Sequence, residues 1–90
     1  MAQAIMDPEK VRRFGEELQR FNSDLENRMI MLQARLGALG DTWQDQEHEK
    51  FAEEFKSAMK ALKRFVDMSK DYTPYLLRKA QRIEDYLNQR

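Results

Sequence analysis

Cysteine is missing from this 90-residue chain, so disulfide frameworks and thiol catalysis are both excluded. Glycine occurs three times and proline twice, which leaves few places where a helix must stop. Charge of one sign is not in excess either: 16 Lys and Arg face 16 Asp and Glu. Residues 1–40 balance at six against six and residues 41–90 at ten against ten. A general nucleic-acid binder carries a basic surplus, so nucleic acid is not expected as a partner. Nowhere do about 18 apolar residues run together, so no membrane span is expected. The opening Met-Ala-Gln-Ala-Ile-Met lacks the basic and apolar regions of a secretory leader. Export would therefore have to use a route that reads no cleaved leader.

What is present is charge, at 36% of residues, mixed with 41% hydrophobic residues, the profile of long decorated helices. Asp7-Pro8-Glu9 is a helix start: Asp accepts from free backbone N–H groups, and Pro wastes no donor at the first helical position. Apolar residues then recur at Val11, Phe14, Leu18, Phe21, Leu25, Met29, Leu32, Leu36 and Leu39, in steps of three and four. This heptad stripe has one extra four-residue step at Leu25–Met29, a stutter that locally unwinds a supercoil. It predicts a helix over residues 8–38, ended by Gly40 as a left-handed cap.

The stretch Leu39-Gly40-Asp41-Thr42-Trp43 is the one strong break in the first two-thirds of the chain. A turn over residues 39–42 folds it into a hairpin and leaves the lone tryptophan, Trp43, at the start of the second arm. Asp41 or Thr42 caps that arm, with Thr42 and Asp45 spaced as a capping box. Phe51, Phe55, Ala58, Leu62, Phe65, Ser69, Tyr72 and Leu76 follow at helical spacing, widened by Ala52, Met59, Val66 and Met68. Residues 43–72 thus form a second helix, and residues 8–38 and 42–72 match at about 45 Å each. Pro74 either kinks a continuing helix or breaks it, leaving a C-terminal helical segment over 74–88. The reading is one all-α domain, a two-helix antiparallel hairpin.

Two helices cannot enclose bands this wide, and a second hairpin would close a four-helix bundle. The dimer interface predicted from the stripes is Phe14, Leu18, Phe21 and Leu25 on the first arm, with Phe51, Phe55, Leu62 and Phe65 on the second. Charge order suggests an antiparallel pair: residues 41–54 hold six acids against Lys50, whereas residues 56–64 hold Lys56, Lys60, Lys63 and Arg64 with no acid. The bland alternative is a three-helix monomer in which residues 74–88 fold back over the hairpin.

The stretch Leu36-Gly37-Ala38-Leu39-Gly40-Asp41-Thr42-Trp43-Gln44-Asp45, followed by Phe51 and Phe55, resembles the Trp-Xaa-Gly, early-secreted-antigen-like helical hairpin family of type VII secretion. Asp7-Pro8-Glu9 also looks like the family's start, so the resemblance covers most of residues 5–72. It implies a small non-enzymatic substrate, effector or partner protein that acts by dimerisation and protein–protein binding. The implied partners are a second copy of the chain or a paralogous hairpin, and a secretion ATPase. The implied location is outside the cell without a cleaved signal peptide, or the cytoplasm before export. Two departures stand out. The family's glycine, two after the tryptophan, is Asp45 here. The Tyr-x-x-x-Asp/Glu export pattern is absent: Leu76, Lys79 and Arg90 stand four after Tyr72, Tyr75 and Tyr86.

Trp43, with Gln44 and Asp45, is the turn and candidate recognition motif at the tip: Trp43 is read as a structural cap on the bundle or a recognition anchor, and Gln44 and Asp45 as capping residues before contacts. His48 is the only histidine, and no second His or Cys supports a metal site. No metal or cofactor is expected, and carboxylates on polar helix faces offer no catalytic pocket. Met29, Met31 and Met59 would make an adaptable surface if exposed. The last segment, with three tyrosines among Lys70, Arg78, Lys79 and Arg82, suits either a docking tail or a solvated helix. A cytosolic adaptor or chaperone holding another helical protein is the rival reading, followed by a purely structural bundle protein.

Overall fold

The computed structural model describes residues 6–89. The first five residues, part of the stretch read above for leader character, lie outside them. Two helices carry the fold: α1 over Pro8–Leu39 and α2 over Gln46–Asn88. The arms are unequal, 32 residues against 43, which corrects the matched lengths expected from the sequence. α2 contains Pro74 and runs through it unbroken. Among the described residues no third helix folds back, because the segment expected over 74–88 is the far end of α2.

Asp7 caps α1 with its side chain, accepting from the Glu9 and Lys10 backbone N–H groups at 3.0 and 3.4 Å. The other end departs from expectation. Gly40 is right-handed, at φ −60° and ψ −20°, and no described residue has a positive φ. A right-handed turn instead consumes the last carbonyls. Leu39 O alone accepts from Thr42 N at 3.1 Å, Trp43 N at 2.9 Å and the Thr42 hydroxyl at 3.2 Å. Thr42 therefore serves the end of α1 and does not start α2. Asp45 caps α2, so the connection spans residues 40–45.

The two arms meet along a narrow seam. Gly15, Asn22 and Met29 are buried on α1, seven residues apart, and Val66, Thr73 and Ala80 repeat that spacing on α2 beside buried Ser69. These are mostly small or polar residues, and they let the backbones approach closely: a Cβ added at Gly15 would lie 3.1 Å from Leu77 Cδ2. The large side chains of the stripes are left at the edge of the seam. Phe14, Phe21, Leu32, Phe51 and Tyr72 are exposed. On the other flank, Arg12 holds Glu84 through two hydrogen bonds of 3.0 Å, and Lys70 reaches Glu26 at 2.9 Å.

The result is long and thin, 69 × 17 × 15 Å with a radius of gyration of 20.1 Å, against about 12 Å for a compact domain of this length. Its accessible surface is 7568 Å², whereas a compact monomer of this mass would show about 5,500 Å². Among the described residues only Met29, Val66 and Ala80 form a buried apolar core.

Candidate functional site

Two surfaces and a tip stand out. The helix repeat of about 100° per residue sorts the side chains around the seam. On α2, Phe65 falls to one side of buried Val66 and Lys63 to the other. On α1, Phe21 and Gln33 likewise fall on opposite sides of buried Met29. Phe21 and Phe65 meet edge to face, with ring centroids 6.3 Å apart. They anchor an apolar flank that also carries Phe14 and Tyr72.

The eight residues predicted for an interface do not all sit alike. Phe14, Phe21, Phe51 and Phe65 are exposed, and Leu18, Leu25, Phe55 and Leu62 are half-buried. Phe55 also lines a groove that opens on the reverse flank. This groove, of about 530 Å³, has Met29, Leu36, Ala52, Phe55 and Met59 along it, with Lys56, Lys60, Lys63 and Arg64 at its rim. The methionines thus do not form one exposed stripe: Met29 is buried in the seam, Met59 is half-buried, and only Met31 is freely exposed.

At the tip, Trp43 is half-buried. Its ring packs edge-on to His48 at 4.9 Å and lies 6.4 Å from Phe51, which continues to Phe55 at 5.9 Å. The connection thereby lies down on the first turns of α2. Gly40 comes close beneath, since a Cβ there would stand 3.5 Å from His48 Cε1. Gln44 is exposed. Asp45 sits in extended backbone at φ −120° and ψ 179°, so no glycine is required here. Its carboxylate accepts from the His48 backbone N–H at 3.0 Å. That hydrogen bond, with smaller help from the Trp43 indole and the Glu47 N–H, holds the Asp45 carboxyl below its ordinary range, against partial desolvation. The side chain supplies the helix start, and the ring before it closes the turn.

No group of three or more His, Cys, Asp or Glu among the described residues is placed to hold a metal ion. No described helix is long and apolar enough to cross a membrane.

Met29, Val66 and Ser69 of the seam belong to the apolar stripes, whereas Gly15, Asn22 and Thr73 carry no hydrophobic signal. The seam's signal was the strict seven-residue spacing of Gly15, Asn22, Met29 and Leu36, and of Ala52, Met59, Val66, Thr73 and Ala80. Small and polar residues hid it behind the larger aromatics one position away.

An all-α antiparallel hairpin, its second arm started beside a tryptophan in the connection, is the architecture these observations define. The model of the family WXG100, proteins of 100 residues with WXG, matches residues 3–86, and the chain belongs to that family. It is thus a small helical protein associated with type VII secretion. Proteins of the family typically pair as homodimers or heterodimers. Neither the curated proteins nor the solved structures yield a match.

Proposed function

We propose that the chain works as a non-enzymatic substrate or effector of a type VII secretion system, and that it does so as an antiparallel homodimer or paired with a paralogous hairpin. The observation that carries this reading is the open aromatic flank: Phe14 and Phe21 are 56% and 54% exposed. The surface exceeds that of a compact monomer by about 2,000 Å², and a stable interface takes about 600–1,000 Å² from each partner. A second hairpin on this flank would bury Phe14, Phe21, Phe65 and Tyr72 and make a four-helix bundle.

Charge along the hairpin supports the antiparallel arrangement. The tip, residues 41–54, holds six acids against Lys50. The far end is near balance, with Lys10, Arg12 and Arg13 among Asp7, Glu9, Glu16 and Glu17 at the start of α1, and Arg78, Lys79 and Arg82 with Glu84 and Asp85 on α2. A parallel pair would put two acidic tips side by side, whereas an antiparallel pair keeps them apart and sets each against a balanced end. The half-buried Trp43, with exposed Gln44 and Asp45, offers the tip as the contact for a secretion ATPase, since indoles are favoured anchors.

The direct test is made in the native host. The intact chain should appear in the culture medium and stay in the cells when the secretion ATPase is deleted. A chain retained in both strains and co-purifying with one client would favour the cytosolic adaptor instead.

A further inference from the structure

The groove on the reverse flank is not used by this pairing. A copy seated on the Phe21–Phe65 face leaves Lys63 and Gln33 pointing away from it. We propose that this groove binds an acidic amphipathic helix of a partner protein, with the partner's apolar side on Met29, Leu36, Phe55 and Met59 and its carboxylates on the rim cations.

The rim carries the argument. Lys56, Lys60, Lys63 and Arg64 all line the groove, and no carboxylate does. Of these four cations, only Lys63 has an acid within ion-pair distance among the described residues, Asp67 at 3.5 Å, and both side chains are largely exposed. Lys56 and Lys60 stand four apart, as do Lys60 and Arg64, and like charges at that spacing repel along a helix. Lys56, Lys60 and Arg64 are thus left without an ion-pair partner among the described residues, although Glu53 and Glu54 lie just before them and Glu26 lines the adjoining cavity beside Lys63.

The shape selects a helix. From Ala52 to Arg64 the lined stretch of α2 runs about 18 Å, and the α1 stretch from Met29 to Leu36 runs about 10 Å. That accommodates about three turns laid in the groove, with anchors at helical spacing. The cations are strung along the axis rather than gathered round one point. A row of glutamates at i, i+4 matches that arrangement better than a single headgroup does. Two methionines in the groove add a surface that adapts to its ligand.

The test uses the full chain with ¹³C-methyl methionine and a synthetic peptide of about five turns. The peptide carries leucines at i, i+3, i+4 and i+7 and glutamates on both flanks, and a control carries lysine for each glutamate. The glutamate peptide should shift the Met29 and Met59 methyls and leave Met68, on the aromatic flank, unmoved. Binding should weaken with salt, and by about tenfold or more in a Lys56→Glu/Lys60→Glu variant. That variant exchanges one like-charge pair for another, so the helix itself should persist. Equal binding of the lysine peptide, or shifts centred on Met68, would overturn the proposal. So would phosphatidylglycerol vesicles moving the two methyls when the peptide does not. A fall in the chain's own solution mass in the variant would also overturn it, by giving the groove to a second copy.

Discussion

Phe21 and Phe65 face each other across the hairpin edge to face at 6.3 Å, yet 54% of one and 38% of the other remain exposed. The contact joins the arms without covering either ring. Replacing Phe21 with Glu removes one aromatic pair, worth about 0.5–1.5 kcal/mol, and sets a charge on the open flank. Helicity by circular dichroism should stay nearly intact while the solution mass falls to that of one chain. Loss of helicity with no change in mass would show that the ring serves the hairpin alone.

Asn22 is 3% exposed in the seam, and its Oδ1 has no hydrogen-bond partner. A buried acceptor left unpaired costs about 1–3 kcal/mol. Asn22→Ala removes it and gains helix propensity, against a small loss of packing. Thermal unfolding should show a gain of about 1 kcal/mol. A loss of that size would mean that the amide is paired in solution.

The seam also explains what could and could not be read from the sequence. Asp7-Pro8 announced the start of α1, and the stripes from Val11 to Leu39 and from Phe51 to Leu76 announced two helices. The bounds between them were harder to read. Gly40 suggested a left-handed cap, but Thr42 and Trp43 donate to the Leu39 carbonyl and use it up in a right-handed turn. Pro74 pointed to a kink in a continuing helix, with a break as the alternative, and α2 runs through it with Thr73 and Ala80 buried on either side. Which stripe faces inward was illegible, since hydrophobicity ranks Phe21 above Asn22, whereas close helix approach favours the smaller side chain. The basic run over residues 56–64 was visible as charge order, and only the packing showed that it rims a groove.

Two carboxylates make the fold acid-sensitive. Asp45 is held below its ordinary value of 3.8, first by the His48 N–H, and Glu84 below 4.5, first by its hydrogen bonds with Arg12. A depressed folded value means that the stabilisation is complete above the unfolded value and is lost as pH falls through the folded one. Stability should therefore be flat from neutral pH to about 5 and should fall below about 4. Asp45→Asn, which keeps a cap without the charge, should remove part of that acid dependence. A variant with an unchanged acid limb would contradict the role given to Asp45.

Trp43 packs on His48 and Phe51 at the tip, away from the seam. Trp43→Ala forfeits two aromatic contacts, about 1–3 kcal/mol together, and frees the connection from α2. Far-ultraviolet circular dichroism should barely change. In the native host, export should fall well below that of the wild type. Normal export of the variant would leave Trp43 a structural cap on α2.

Static light scattering on the purified chain, followed across a concentration series, bears on the pairing most directly. The account predicts a mass of twice the chain's 10.8 kDa down to low micromolar concentration, with the aromatic flank closed. A well-folded particle that keeps the mass of one chain at every concentration would contradict it.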